Sequence, residues 1–233
     1  MSNFRSIQVG IELTVLAIDS TYDGITFSAY EYRHRSVYPY LEKLGFRVEL
    51  YQGKLARRHF VAPIAREIHI VYITGLGHGC SNMFTGDRGM PIFKVGEYSP
   101  KESQNKIIHL LSCETAIELG IDMTSHGCQA FFGYDAPFIY VKDTSEVFWE
   151  CDAEIDRAFV EGMNAGEVYN RVAEYYQRSI QKYKDEFINS LINGSNQEMV
   201  DTLRKVFSNL QHNANHLCSP SVSSRWGDVG AKL

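Results

Sequence analysis

The chain has 233 residues, of which 44% are hydrophobic and 22% are charged. These proportions are typical of a folded globular protein and exclude a disordered or fibrous chain. The 23 Lys and Arg residues stand against 28 Asp and Glu residues, which gives a formal net charge of -5. The chain as a whole therefore has no electrostatic attraction to nucleic acid or to an anionic membrane, and we expect neither as a partner.

The five cysteines are an odd number and lack the spacing of a disulfide framework. This usage indicates reduced thiols in a cytoplasmic protein. Residues 1–8 contain no basic patch followed by an apolar stretch, and no apolar run approaches the roughly 18 residues that span a bilayer. We expect no secretion signal and no membrane anchor.

Short apolar runs alternate with helical patterns over residues 1–142. Strands are predicted at residues 13–18, 46–50, 68–74, 106–112, 129–134 and 138–141. Helices are predicted at residues 28–44, 54–67 and 114–125. Strands that alternate with helices form βαβ crossovers, so the pattern predicts an α/β sandwich in which a mainly parallel sheet is covered on both faces.

From residue 143 onward the apolar period is helical. One apolar stripe runs from Val168 to Phe187 and a second from Met199 to Leu210, and we interpret both as packing faces. No flexible linker separates this part from the first. The prediction is a single domain over residues 1–233, with an α/β core at 1–142 and a helical extension and C-terminal tail at 143–233. Trp226 is expected to anchor the tail.

Two predicted strands end at residues that are able to perform covalent catalysis. Residues 73–80 (ITGLGHGC) place His78 between two glycines, and residues 110–116 (LLSCETA) end a strand at Cys113. The carboxyl ends of parallel strands meet at one edge of a sheet, where ligands bind. We therefore expect the imidazole and the thiol to face the same space.

The two side chains have complementary chemistry. In this interpretation Cys113 opens a helix, whose dipole and free N–H groups would stabilise the thiolate as a nucleophile. His78 would donate a proton to a leaving amine, and its flanking glycines would let a substrate backbone approach. The backbone N–H groups of Gly79 and Cys113 are predicted to stabilise a tetrahedral oxyanion. Together these features predict a site for acyl transfer.

An apolar strand that ends in His-Gly, followed by a second that ends in Cys, resembles the caspase-like cysteine peptidases of clan CD. The segments LLSCETA and QAFFG, at residues 110–116 and 129–133, resemble the bacterial CHAT-type proteases more than the caspases. The resemblance covers residues 10–142. It implies a caspase-like three-layer sandwich and a cysteine endopeptidase that acts on a protein or peptide through a dyad of His78 and Cys113, without a cofactor.

The Gln-Ala-Cys-x-Gly pentapeptide of caspases is absent, so a preference for cleavage after Asp is not implied. Asp19, at the end of the first predicted strand, and Asp135, in a turn after the fifth, are candidates to bind substrate. An acidic pocket would favour Lys or Arg before the scissile bond. The turn sequence ahead of Pro137 also explains Asp135 without a substrate.

Other functions stay open at this stage. His-Gly-Cys occurs twice, at residues 78–80 and 126–128, but no C-x₂-C pair accompanies it, so a metal site is disfavoured. His109 lies within an apolar strand and is interpreted as a core histidine. A catalytically silent caspase-fold interaction module, another hydrolase or transferase on the same fold, and a regulatory protein partner all remain alternatives.

Overall fold

The computed structural model describes residues 13–233 and has two sheets. The strands are β1 (Thr14–Asp19), β2 (Arg47–Gln52), β3 (Ile70–Leu76), β4 (Gly79–Cys80), β5 (Met83–Thr85), β6 (Pro91–Lys94), β7 (Ile107–Leu111), β8 (Ala130–Tyr134) and β9 (Leu217–Cys218). The helices are α1 (Gly24–Tyr32), α2 (Tyr38–Lys43), α3 (Arg58–Ala65), α4 (Leu119–Ser125), α5 (Glu146–Val160), α6 (Ala165–Ile192) and α7 (Gln197–Asn215). A π-helical turn, Arg33–Val37, joins α1 to α2.

The main sheet confirms the predicted α/β architecture. Its six strands lie in the order β2-β1-β3-β7-β8-β9. Every pair among the first five strands is parallel, and only β9 runs antiparallel to its neighbour β8. The strands lie between helices that return the chain to the same edge, so their carboxyl ends collect there.

Alternating side chains of the central strands fill two separate cores. In β1, Val15 and Ala17 pack with α1, α2 and α5, while Leu16 and Ile18 pack with α3 and the second sheet. Because successive residues of a strand point to opposite faces, an almost unbroken apolar run supplies both cores at once. The result is a three-layer α/β sandwich with a C-terminal helical stretch.

The second sheet lies in the segment between β3 and β7, which the sequence presented only as a glycine-rich loop. Its strands β4, β5 and β6 pair antiparallel. Phe84 and Phe93, from β5 and β6, are fully buried and stack at 6.4 Å between ring centroids. This small sheet holds the chain that leaves β3 against the main domain.

The prediction of a strand at residues 138–141 is wrong. Within the part of the chain that the structure describes, those residues have no strand partner, and the side chain of Asn213 in α7 hydrogen-bonds to their backbone instead. Its amide oxygen accepts from Ile139 N–H at 3.0 Å and its amide nitrogen donates to Ile139 C=O at 2.8 Å. The space beside β8 is instead occupied by β9.

The C-terminal helices pack on the sandwich. Helix α5 contacts the sheet at β7, α6 packs on α5, and α7 lies along α6. In the tail, Trp226 is 6% exposed and its indole N–H donates to Ala116 C=O at 2.8 Å. Within residues 13–233, no helix combines the length and apolar character needed to cross a bilayer.

Candidate active site

His78 and Cys113 line the same pocket at the carboxyl edge of the main sheet. The pocket has an empty volume of about 390 Å³. Most of its wall is apolar, and the other lining residues are Ile25, Thr26, Ala29, Leu76, Gly77, Leu111, Ser112, Phe138, Tyr140 and Trp149. The structure therefore brings together the two residues that the sequence analysis selected as a catalytic pair.

The register of β3 against β7 explains why they meet. Leu76 and Leu111 are the last paired residues of these parallel neighbours. The Gly77 N–H then donates to Leu111 C=O at 3.3 Å, which holds the two chains together just past their ends. His78 and Cys113 each follow that last pair by two residues. Equal spacing after a shared register places both side chains at one edge.

Gly79 makes the close approach between the two strand ends. A β-carbon on Gly79 would lie 2.3 Å from Ser112 Oγ and 2.9 Å from Cys113 O, so only glycine fits without displacing the loop. The Thr85 N–H donates to His78 C=O at 2.9 Å. Hydrogen-bonded pairs alternate along an antiparallel ladder, so the Gly79 N–H points away from β5. It lies beside the Cys113 loop, and its oxyanion role stays a prediction.

The Asp23 side chain holds the His78 ring. His78 Nε2 lies 2.6 Å from Asp23 Oδ2. The other carboxylate oxygen caps helix α1, where it accepts from Ile25 N–H at 3.0 Å and Thr26 N–H at 2.9 Å. Such a cap fixes an Asp side chain at a helix start. The same carboxylate therefore orients the imidazole from a rigid position.

The charge of this carboxylate is favoured by its contacts. Burial alone would raise the pKa of Asp23, but hydrogen bonds from the Thr26 backbone and from His78 outweigh it and lower the pKa. Within the described residues, the other ring nitrogen of His78, Nδ1, has no hydrogen-bond partner. An anion on one side of the ring and a free nitrogen on the other suit a histidine that exchanges a proton.

Sequence reasoning missed Asp23, because the helix was predicted to begin at residue 28. An Asp just before the first apolar helical positions is a typical N-cap signal, and it would have placed the start of α1 correctly at Gly24. Its contact with His78 spans 55 residues. No spacing in the sequence indicates that contact.

The predicted activation of Cys113 by a helix N-terminus is wrong. Residues 113–118 form turns, and α4 begins only at Leu119. The N–H groups of Glu118 and Leu119 both donate to Ser81 C=O, and that of Ala116 donates to Tyr134 C=O. These tertiary hydrogen bonds use donors that a helix end would have left free.

The thiol itself is half-buried and in its neutral form by preference. Burial raises the pKa of Cys113, the Glu114 carboxylate raises it further, and a hydrogen bond from the Phe138 backbone opposes the shift only in part. In the described structure Cys113 and His78 do not hydrogen-bond to each other. A base must therefore take the thiol proton before Cys113 can act as a nucleophile.

Neither predicted substrate-binding carboxylate lies in the pocket wall. Asp19 is fully buried, where Tyr38 donates to it and Arg33 lies 3.4 Å away. Asp135 is partly exposed and pairs with His216 at 2.7 Å. Burial removes Asp19 from contact with a substrate in this pocket, and Asp135 is occupied at another part of the edge. These two carboxylates therefore do not support the hypothesis that the protein prefers Lys or Arg before the scissile bond.

Asp19 belongs to a buried ionic cluster between the main sheet and helix α5. His109 lies at its centre, with Nε2 3.1 Å from Asp152 and Nδ1 3.0 Å from Asp156. Arg33 is 2% exposed and reaches Asp156 at 3.2 Å as well as Asp19. The prediction of a core histidine with satisfied hydrogen bonds is confirmed by these contacts.

The remaining cysteines differ in exposure. Cys128, Cys151 and Cys218 are buried, and Cys80 is half-buried like Cys113. Burial raises the pKa of each of the three buried thiols to about 12. In the part of the chain that the structure describes, no three His, Cys, Asp or Glu side chains are grouped so that they could hold a metal ion.

A comparison with protein-family models finds none that matches this chain, and a comparison with curated proteins finds no match either. The geometry of the pocket must therefore support any functional proposal.

Proposed function

We propose that the protein is a cytoplasmic cysteine endopeptidase of the caspase-like type that cleaves proteins or peptides. One observation carries the proposal. His78 and Cys113 line one pocket, and Asp23 holds the His78 ring at 2.6 Å, while within residues 13–233 its other nitrogen has no hydrogen-bond partner. A nucleophile, a base and a group that orients the base are the parts of a site for acyl transfer.

The fold supports the same proposal. The mainly parallel sheet is covered by helices on one face and by helices with the small sheet on the other, as the resemblance to caspase-like peptidases implies. Both site residues also follow strand ends at the carboxyl edge, where ligands bind in open α/β sheets.

In the proposed reaction, His78 takes the proton of the Cys113 thiol and the sulfur attacks the scissile carbonyl carbon. The C–S bond forms as the carbonyl oxygen becomes an oxyanion, next to the N–H groups of Gly79 and Cys113. When the C–N bond breaks, His78 returns the proton to the leaving amine. Water then attacks the thioester carbon and gives up a proton to His78. The C–S bond breaks, the carboxylic acid leaves, and His78 returns the proton to the sulfur, which restores the thiol.

Asp23 is a positioning residue in this scheme. It stabilises the imidazolium that forms after proton transfer, because its carboxylate lies 2.6 Å from Nε2. It also holds Nε2 at the start of α1, and Nδ1 has no hydrogen-bond partner among the described residues. Burial opposes ionisation of the Cys113 thiol, so the charged pair of thiolate and imidazolium depends on this carboxylate.

The test uses a fluorogenic peptide library and an acyloxymethyl ketone that labels catalytic thiols. Cys113→Ala should abolish hydrolysis and labelling, and His78→Ala should reduce both strongly. Cys80→Ala is the matched control, because Cys80 is equally half-buried and immediately follows Gly79. Labelling that survives Cys113→Ala but not Cys80→Ala would contradict the proposal.

Asp23→Asn tests the positioning role separately from folding. The amide oxygen still caps α1, but the charge opposite His78 is lost. A charge-assisted hydrogen bond contributes about 1.5–3 kcal/mol, so kcat/KM should fall by about 10- to 100-fold while the melting temperature stays close to that of the wild type. Asp23→Ala removes the cap as well and should lower both. If Asp23→Asn has the same kcat/KM as the wild type, the carboxylate only caps α1 and has no role in positioning His78.

A second candidate function is a catalytically silent interaction module. The raised pKa of Cys113 favours it, because a neutral buried thiol is unreactive. In that case the folded wild-type protein would neither hydrolyse any library member nor react with the ketone faster than its Cys113→Ala variant.

A further inference from the structure

Among the residues that the structure describes, the wall of the pocket beside Cys113 contains no Asp, Glu, Lys or Arg side chain. Leu76 and Leu111 close it where the strands end, and Ile25 and Ala29 of α1 cover one side. Apart from His78 and Cys113, the polar side-chain groups of the lining residues are the hydroxyls of Thr26, Ser112 and Tyr140 and the indole N–H of Trp149. An ionised substrate side chain would lose water there without meeting an opposite charge, which is costly.

Three aromatic residues form the rest of the wall and hold one another in place. Phe138 stacks on Trp149 with ring centroids 5.8 Å apart and an angle of 18° between the planes. Tyr140 packs on Trp149 at 4.8 Å. Trp149 is 4% exposed on the buried helix α5. A wall of packed rings is a preformed apolar surface rather than a loose loop.

Charged groups approach the pocket without lining it, and one of them is the Glu114 carboxylate, which raises the pKa of Cys113. Asp23 is occupied by His78 and by the start of α1. Lys142 and Asp143 line an adjoining, wider hollow of about 940 Å³, which shares Ile25 and Tyr140 with the pocket. The charged residues Asp23, Lys142 and Asp143 therefore line the neighbouring hollow, whereas the hollow at Cys113 is mostly apolar.

We propose that the pocket of Leu76, Leu111, Phe138, Tyr140 and Trp149 binds the side chain before the scissile bond, and that it selects uncharged apolar residues. The inference rests on the proposed peptidase function and names its substrate class. Cleavage follows leucine, methionine or phenylalanine, and substrates with Lys, Arg, Asp or Glu at that position are poor. This replaces the basic preference that Asp19 and Asp135 had suggested.

The first experiment measures kcat/KM on a peptide library that fixes the residue before the scissile bond. Apolar residues should be preferred at least about tenfold over charged ones, as expected when a charge must be buried without a partner. Hydrolysis that favours charged residues would overturn the pocket assignment while the peptidase function stands. Absence of both hydrolysis and Cys113-dependent labelling would overturn the peptidase function and the assignment with it.

The second experiment reverses the preference by adding a charge to the pocket wall. Ile25 lines the pocket, is 52% exposed and lies in the first turn of α1, where a carboxylate is favoured by the helix dipole. Ile25→Glu should raise the ratio of kcat/KM for Lys over Leu at least about tenfold relative to Ile25→Gln, which has nearly the same shape.

The two Ile25 variants control for each other, since both remove the apolar side chain and only one adds a charge. Circular dichroism and thermal melting verify that both fold. If the ratio is the same in Ile25→Glu and Ile25→Gln, the substrate side chain does not enter this pocket and the assignment is wrong.

Discussion

The buried His109 cluster predicts that the protein loses stability when the pH rises from 7 to 8.5. Both ring nitrogens of His109 face carboxylate oxygens, at 3.1 Å and 3.0 Å. Carboxylates only accept hydrogen bonds, so both nitrogens must carry protons. Burial alone would lower the pKa of His109, but Asp152 and Asp156 raise it to about 9.

The sign and size of the effect follow from proton linkage. In the unfolded chain a histidine has a pKa near 6.5, so the folded protein binds this proton more tightly. The resulting stability is fully present below about pH 6.5 and is lost as the pH rises through about 9. Across pH 7 to 8.5 mainly the folded state holds the proton, so the free energy of unfolding falls by about 1.4 kcal/mol for each pH unit. The total is about 2 kcal/mol.

The assay is urea unfolding at 25 °C in buffers from pH 7 to 8.5 at constant ionic strength, followed by circular dichroism. Staying below pH 9 avoids the ionisation of tyrosine in the unfolded chain. Unfolded cysteines have a pKa of about 8.5 and add to the loss of stability, so the His109 contribution is the difference between the wild type and a variant that keeps every cysteine. An NMR titration of the histidine ring signals gives an independent measurement. The His109 signal should stay in its protonated position at pH 7.5.

Two isosteric variants sharpen the test. Asp152→Asn removes the stronger of the two charges that raise the His109 pKa, so the loss of stability between pH 7 and 8.5 should shrink. Asp135→Asn alters the exposed pair with His216 and should leave the wild-type slope. A free energy of unfolding that stays constant or increases over this range in the wild type would refute the reasoning.

Two further substitutions test the packing. Gly79→Ala should lower the free energy of unfolding by about 1–3 kcal/mol, because a methyl group there overlaps the loop after β7. A β-carbon on Gly24 meets nothing within 4 Å, so the control variant Gly24→Ala should be neutral or stabilising. Equal melting temperatures of the two variants would contradict this prediction. Arg33→Met leaves Asp19 buried without its cation and leaves Asp156 with His109 alone. Urea unfolding should therefore show a loss of about 3–5 kcal/mol, and a change below about 1 kcal/mol would argue against the cluster.

The sheet could be predicted from sequence because its signal is local. Each central strand is a short apolar run with residues buried on both faces, as in residues 15–18, and such runs between helical patterns indicate a parallel sheet. The prediction at residues 138–141 used the same signal and was wrong. The apolar residues Phe138 and Tyr140 line the pocket, and the side chain of Asn213 makes the backbone hydrogen bonds of Ile139 that a neighbouring strand would otherwise make.

In the candidate site, too, some residues could be predicted from local sequence signals and others could not. His78 and Cys113 were found because both follow strand ends, a position that the sequence shows directly. Asp23 was missed and Asp19 misassigned, although Asp19 is the last residue of β1 and Asp23 follows it by only four residues. Asp19 lies in the interior beside Arg33, whereas Asp23 caps α1 and contacts His78.

The sequence by itself determined the α/β class, the edge at which chemistry could occur and the histidine and cysteine that meet there, because strand periodicity and strand ends are properties of short segments. Only the tertiary structure decided the partner of His78, the protonation preference of Cys113 and the apolar nature of the pocket. Those properties arise where segments far apart in the chain exclude water from one another. Burial then sets the cost of each charge and the partner that it requires.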